Sequence, residues 1–390
     1  MTLLFGRQWT REELEARFGV LGQVAGVSLV TLSDGAERGV RALLFRTGSG
    51  LEFWVLVDRT FDVAKCNFRG IELGWHSPVG IRAPWFHEVN DESGASFLRS
   101  FSGFLVTCGL DHVGAPYRES SGRYFAPDRT AIDQPLHGRI TASPGQLVAY
   151  GHEWRGERCT LFCEGVVKQV AVFGEHLVLT RRYETEVGSS SFTVRDYVRN
   201  HSFFTTPHMM LYHINLGFPL LDQGAEFVAP TRGIRWAFRD TRPEGIGYRF
   251  QREPQHNFVE QVYVHDVRED AEGRVRAALI NRGLDNGAGL GLAVEFKRSQ
   301  LPYMLQWQNF QAGSYCMAIE PSTCHALGRP HAEVHGDLAW FEHGDERLYE
   351  LRFSVLKNKG EIENFEAAVR NVVPEILDQA AVPGEGFGVA

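Results

Sequence analysis

Paired cysteines are missing from this sequence. Cys66, Cys108, Cys159, Cys163, Cys316 and Cys324 are scattered over 390 residues without a single CxxC unit, which excludes the disulfide framework of a small secreted domain and a zinc knuckle. The thiols are expected to be reduced and mostly buried. An excess of positive charge is missing too. With 40 Lys and Arg against 48 Asp and Glu the formal charge is -8, so there is no basic footprint for nucleic acid or for an anionic membrane surface. No apolar stretch approaches bilayer length, and "MTLLFGRQWTREELE" opens with a four-residue apolar patch rather than the longer core of a secretory signal. A cytoplasmic location is the expectation. No linker rich in Pro, Ser or charge divides the chain and no repeat of fixed period occurs, so one domain over residues 1–390 is expected, although the length alone would permit two.

What is present is the composition of a folded protein, 43% hydrophobic and 23% charged, with no tract biased toward disorder. Helix signals stand at the two ends. Thr10 followed by Glu13 in "TREELEARF" is a capping-box pattern, in which hydroxyl and carboxylate each satisfy a helix-terminal N–H, and predicts a short helix near 11–18. In "EIENFEAAVRNVVPE" Ile362, Phe365, Val369 and Val372 recur at helical spacing before Pro374, which predicts a C-terminal helix near 361–373.

Between the ends the period is two. "HLVLTRRYETEV" sets Leu177, Leu179, Tyr183 and Val187 on one side and Thr180, Arg182, Glu184 and Glu186 on the other, as a half-buried strand requires. "RLYELRFSVL" repeats the pattern through Tyr349, Leu351, Phe353 and Val355, and further runs are separated by turn clusters such as "SDGAERG" and "LDNGAG". Many short strands with almost no helix between them predict an all-β fold, a large antiparallel β-sandwich with short terminal helices. The least regular segments, about 77–145 and 222–260, hold long loops with Trp, His and Arg, where function tends to sit on a rigid sheet.

Four polar clusters lie in these surroundings. Arg59 and Asp62 in "DRTFDVAKCNF" follow a strand and could bind a polar ligand or form a surface ion pair. His112 in "TCGLDHVG" and His137 in "QPLHGRI" stand beside glycines, which let a backbone approach a ligand or take positive φ; Asp111 reads as a turn residue. In "HMMLYHINLGF" a strand would put His213 and Asn215 together with Met209 and Leu211 on one face, and buried polar groups there need partners, either a ligand or other side chains. Glu320 in "MAIEPSTC" closes an apolar run before Pro321, a costly place for an unpaired carboxylate. Trp307, flanked by Gln306 and Gln308, offers an aromatic face with amides to a sugar ring, apolar on its C–H face and hydroxylated at its rim.

"QPLHGRI", "LYHINLGFPLL" and "IEPSTC", in that order, resemble the His, His and Glu motifs of the galactose mutarotase (aldose 1-epimerase) superfamily, and "TCGLDHVG" with "NLGFPLL" resembles its bacterial DUF4432 branch. The resemblance spans about Arg59 to Phe353. It implies a many-stranded antiparallel supersandwich and an isomerase acting on a free sugar. It further implies Glu320 as the general base at the anomeric hydroxyl, His213 as the general acid at the ring oxygen, and His137 and Arg59 as sugar contacts. The "YHINLGF" segment departs from the family's Asn-His-X-Tyr-Phe-Asn-Leu pattern, and the family's sugar-binding aspartate has no clear counterpart; Asp266 in "QVYVHDV" takes that place by order in the chain, and Trp307 completes the sugar-binding set.

Three functions follow from these residues. The first is an aldose 1-epimerase-like enzyme that takes a small carbohydrate and needs no cofactor or metal. The second is a metal-dependent sugar isomerase or lyase with His112, His137, His213 and Glu320 as ligands to Zn²⁺, Mn²⁺ or Fe²⁺. The third is a non-catalytic carbohydrate-binding protein. Edge strands of so large a sandwich also offer a route to a homodimer.

Overall fold

Alternating burial builds the molecule. In a computed structural model that describes residues 1–121, 130–236 and 247–375, the strand His176–Glu186 buries every second side chain and leaves the intervening ones partly exposed. Glu346–Leu356 buries Tyr349, Leu351, Phe353 and Val355 in the same way. Such strands pair antiparallel into two large sheets. An 8-stranded sheet runs in the order 146–155, 158–170, 176–186, 191–200, 346–356, 290–297, 274–281 and 226–228. A 12-stranded sheet has the main order 231–236, 261–267, 303–309, 316–322, 206–216, 105–110, 62–68, 51–56, 41–46 and 26–31. The large antiparallel β-sandwich expected from the period-two runs is therefore the fold.

The sheets meet through aromatic rings. Phe53 of the larger sheet stacks on Phe192 of the smaller at 4.3 Å between centroids, and Phe192 stacks on Phe353 at 4.7 Å. Rings buried to this depth each contribute about 1.5–3 kcal/mol. One polar group interrupts this layer. Arg181 occupies the buried face of its strand between Leu179 and Tyr183, a position the sequence pattern passes over. Its guanidinium is 0% exposed and donates to Asp196 at 2.8 and 2.6 Å, to Asp62 and the Thr60 carbonyl at 3.1 Å, and to Thr107 Oγ1 at 2.8 Å. Asp62 also accepts the Thr107 backbone N–H, so it is neither a ligand residue nor a surface ion-pair partner.

The first helix, α1 at Arg11–Glu15, carries the complete Thr10/Glu13 capping box but stops three residues short of expectation. The helix Arg329–Val334, α2, has no counterpart in the sequence reading because its six residues make fewer than two turns. The C-terminal helix, α3 at Lys359–Val372, starts where the Asn358 side chain accepts the Glu361 N–H, and it lays Ile362, Phe365 and Val369 against Val228, Ala278 and Ile280 of the smaller sheet. All six cysteines are buried and unpaired. No helix among the described residues is long and apolar enough to cross a membrane.

Candidate active site

The strand Thr206–Leu216 is buried along its whole length because it runs mid-sheet between 316–322 and 105–110. Its two faces go to different places. Met210, Tyr212 and Ile214 join the core between the sheets, whereas Met209, Leu211 and His213 face outward into a second cluster under the segments 75–104 and 324–338. The imidazole therefore stands on the outer face of the larger sheet, under a covering layer. The antiparallel register, with Leu211 opposite Ser322 and Ile214 opposite Ile319, puts His213 across from Glu320. Directly opposed side chains of an antiparallel pair start with Cβ atoms about 4.5–5.5 Å apart. His213 Nε2 and Glu320 Oε1 consequently meet at 3.2 Å.

Both groups are almost wholly buried, 5% and 4% exposed. Burial pushes the Glu320 carboxyl up to about 8, helped by the negative charge of Glu260. Burial also pushes the His213 imidazole down to about 3, with His137 adding to the depression; the nearby Asn215 amide works the other way without meeting hydrogen-bond geometry. At neutral pH the contact is thus one between a carboxylic acid and a neutral imidazole, and no ion pair forms. Neutral acid plus neutral imidazole holds the same number of protons as carboxylate plus imidazolium. The pair as a unit therefore owns one transferable proton.

Aromatic rings enclose the pair. Phe101 lies 4.7 Å from the His213 ring, Trp307 5.5 Å and His137 6.2 Å, each at a steep angle. Trp307 comes from the strand Tyr303–Asn309, opposite Val262, and its indole N–H donates to Glu260 Oε2 at 2.6 Å. His137 is held by its backbone in the left-handed region at φ 57°, with its N–H on the Gly114 carbonyl and its carbonyl accepting the Gly109 N–H. The neighbouring Gly138 is required there, since a Cβ would lie 2.1 Å from the Gly109 oxygen. Burial lowers the His137 imidazole to about 4, and its Nδ1 is buried without a hydrogen-bond partner.

These side chains line one cavity of about 690 Å³, with α2 and the loop before it as its far wall. Arg329 fixes that wall by donating to the Asp111 carbonyl and carboxylate at 2.8 Å and to Glu119 at 2.7 Å. Asp111 is accordingly a buried clamp rather than a turn residue. A larger hollow of about 1060 Å³ beside α3 contains none of the candidate site residues.

His213, Glu320, His137 and Trp307 are brought together. Arg59 and Asp266 are not. The Arg59 guanidinium is buried elsewhere, donating to the carbonyls of Arg82, Ser100 and Thr141, so its hydrogen-bonding capacity ties loops together and does not reach the cavity lining. Asp266 is exposed at the far end of its strand and pairs with Arg232 at 3.4 Å. Gln306 and Gln308 point to the opposite face from Trp307, as period two demands, and donate to the Tyr248 carbonyl. His112 is buried outside the cavity lining with Nε2 on the Ala115 carbonyl at 2.9 Å. The reading missed Glu260, Phe97 and Phe101. All three come from the irregular segments, which the sequence marked as functional without marking their residues.

Residues 37–355 match the family described as "Domain of unknown function (DUF4432)". The chain belongs to the DUF4432 family. No curated protein matches it. Among solved structures, a candidate aldose 1-epimerase from Klebsiella pneumoniae subsp. pneumoniae is similar with a TM-score of 0.81 at 22% identity, covering 94% of this chain and 91% of that one. A galactose mutarotase-like protein from Clostridium acetobutylicum gives 0.53 at 12% identity, covering 85% and 98%. A galactose 1-epimerase from Lactobacillus acidophilus gives 0.51 at 10% identity, covering 85% and 99%. At these identities the likeness is one of fold, the galactose mutarotase-like supersandwich. Among the described residues of this DUF4432 protein, no group of three or more His, Cys, Asp or Glu is arranged to hold a metal ion.

Proposed function

We propose that this DUF4432 protein interconverts the anomers of a free sugar or sugar derivative, with His213 and Glu320 as the proton-exchanging pair. The observation that supports this most is their 3.2 Å cross-strand contact inside an enclosed, aromatic-walled cavity. Ring opening of a hemiacetal removes a proton from the anomeric hydroxyl and adds one at the ring oxygen, two atoms bonded to the same carbon. A neutral acid beside a neutral base does both: one partner gives its proton as the other takes one, and the pair's proton count is unchanged when the open-chain aldehyde forms. Rotation about C1–C2 and the reverse transfers close the other anomer.

The family resemblance makes Glu320 the base and His213 the acid, which requires the shared proton to sit on the imidazole. Burial by itself favours its place on the carboxyl. The two groups in contact act together as the catalytic unit, and the arriving sugar hydroxyls decide which partner holds the proton. The Trp307 and Phe101 rings suit the apolar face of a sugar, and the unpartnered His137 Nδ1 offers a contact to a hydroxyl or to the ring oxygen.

Polarimetry on freshly dissolved anomers of a panel of aldoses tests the proposal. Purified protein should speed the approach to the equilibrium rotation, and Glu320→Gln should slow it about 10²–10⁴-fold. Acceleration of no aldose by the wild type rejects the enzyme and leaves carbohydrate binding without turnover.

A further inference from the structure

A second carboxyl group lines the cavity and has no part in the proton exchange. Glu260 closes the irregular segment before the strand Gln261–Val267 and stands exposed at the rim, whereas Glu320 lies at the buried end. One of its oxygens accepts the Trp307 indole N–H at 2.6 Å, a short charge-assisted bond. That bond fixes the ring plane facing His213 and Phe101. Leu98 and Val334, 57% and 82% exposed, line the same cavity, as do His331 of α2 and His335 just after it.

We infer that Glu260 is a positioning and selectivity residue of this cavity: it holds the Trp307 indole against the sugar face and repels phosphorylated and acidic sugars, so that the substrate is an uncharged aldose. The inference rests on the anomer-exchange reading. A negative charge at the mouth of a low-dielectric cleft focuses its field along the approach path and disfavours anions. Inside, a phosphate or carboxylate on the sugar would sit beside that like charge, an arrangement that lowers affinity for the wrong partner far more than it raises affinity for the right one. The same charge favours the protonated form of Glu320, so Glu260 also helps to keep the transferable proton in place.

Wild type, Glu260→Gln and Glu260→Asp are compared in two measurements. In ligand-free protein carrying ¹³C-carboxyl glutamate, the resonance lost in Glu320→Gln reports that carboxyl. Its titration midpoint should fall by roughly half a pH unit or more in Glu260→Gln and stay near wild type in Glu260→Asp. In turnover, kcat/KM is measured for an aldose, its 6-phosphate and its uronic acid. Wild type should prefer the neutral sugar by about a hundredfold; Glu260→Gln should narrow the preference about tenfold and raise KM more than it lowers kcat, with Glu260→Asp keeping the preference. Equal kcat/KM for neutral and phosphorylated sugar in the wild type, or a preference unmoved by Glu260→Gln, overturns the inference. Failure of the wild type to exchange any aldose would instead sink the anomer-exchange reading, and the Glu320 midpoint would still tell whether the two carboxyls are coupled.

Discussion

Replacing Glu320 by glutamine is expected to stabilise the protein, and to do so increasingly as pH rises. The Glu320 carboxyl is held at about 8 against its ordinary 4.5, by burial and by the charge of Glu260. Between those values the folded chain keeps a proton there that the unfolded chain releases, so stability falls as pH rises through this window, and the loss is complete once the folded carboxyl ionises. Each pH unit of such an offset is worth about 1.4 kcal/mol. The wild type should therefore lose roughly 3 kcal/mol between pH 4.5 and 7 that the variant, with no proton to hold, does not lose. His213, held at about 3, contributes a slope of opposite sign below its ordinary 6.5, lost as pH falls, but it is present in both proteins and cancels in their difference. Urea unfolding at steps from pH 4.5 to 9, extrapolated linearly to water, measures the difference. A difference that widens to about pH 8 and then levels off is the expected outcome; one that stays flat refutes the proton-holding state of Glu320. The widening difference would make this site a place where stability is given up for function.

Activity should follow the same group: kcat/KM is expected to hold steady across neutral pH and to fall above about pH 8 as Glu320 loses the pair's proton, and a pH–rate profile with no alkaline limb contradicts this. Arg181→Met strands the buried carboxylates of Asp62 and Asp196 and should lower the unfolding free energy by about 3–5 kcal/mol in a denaturant titration; a loss near zero would mean that those carboxylates do not depend on the Arg181 guanidinium. Asp266→Asn should leave KM for any accepted sugar within about twofold, because an exposed pair such as that with Arg232 is worth little.

The architecture was legible because a half-buried strand advertises itself in alternation. Leu177, Leu179 and Tyr183, or Tyr349, Leu351 and Phe353, need no tertiary information to be assigned a face. His213 and Glu320 were legible as polar interruptions of apolar strands, and the family motifs linked them. Their contact, however, depends on the register between two strands about a hundred residues apart, which no local pattern reports. Arg59 and Asp266 lie outside the cavity lining for different reasons. Charge at the end of a strand looks alike whether it faces a ligand, a loop carbonyl or water, and only the three carbonyls around Arg59 tell which. Gln306 and Gln308 beside Trp307 were grouped by sequence proximity, although period two sends neighbours to opposite faces. Glu260 was invisible because its segment has no period at all, and its importance comes from the Trp307 indole that it meets across the strand pair.

The most direct test of the proton-exchanging pair is a crystal structure of the protein with an accepted, uncharged aldose bound. The sugar's C1 should lie between His213 and Glu320, their mutual contact opened, with one side chain within about 2.6–3.2 Å of the anomeric oxygen and the other equally close to the ring oxygen. A sugar bound elsewhere, or one in the cavity that leaves the His213–Glu320 contact intact and out of reach of C1, would contradict the account.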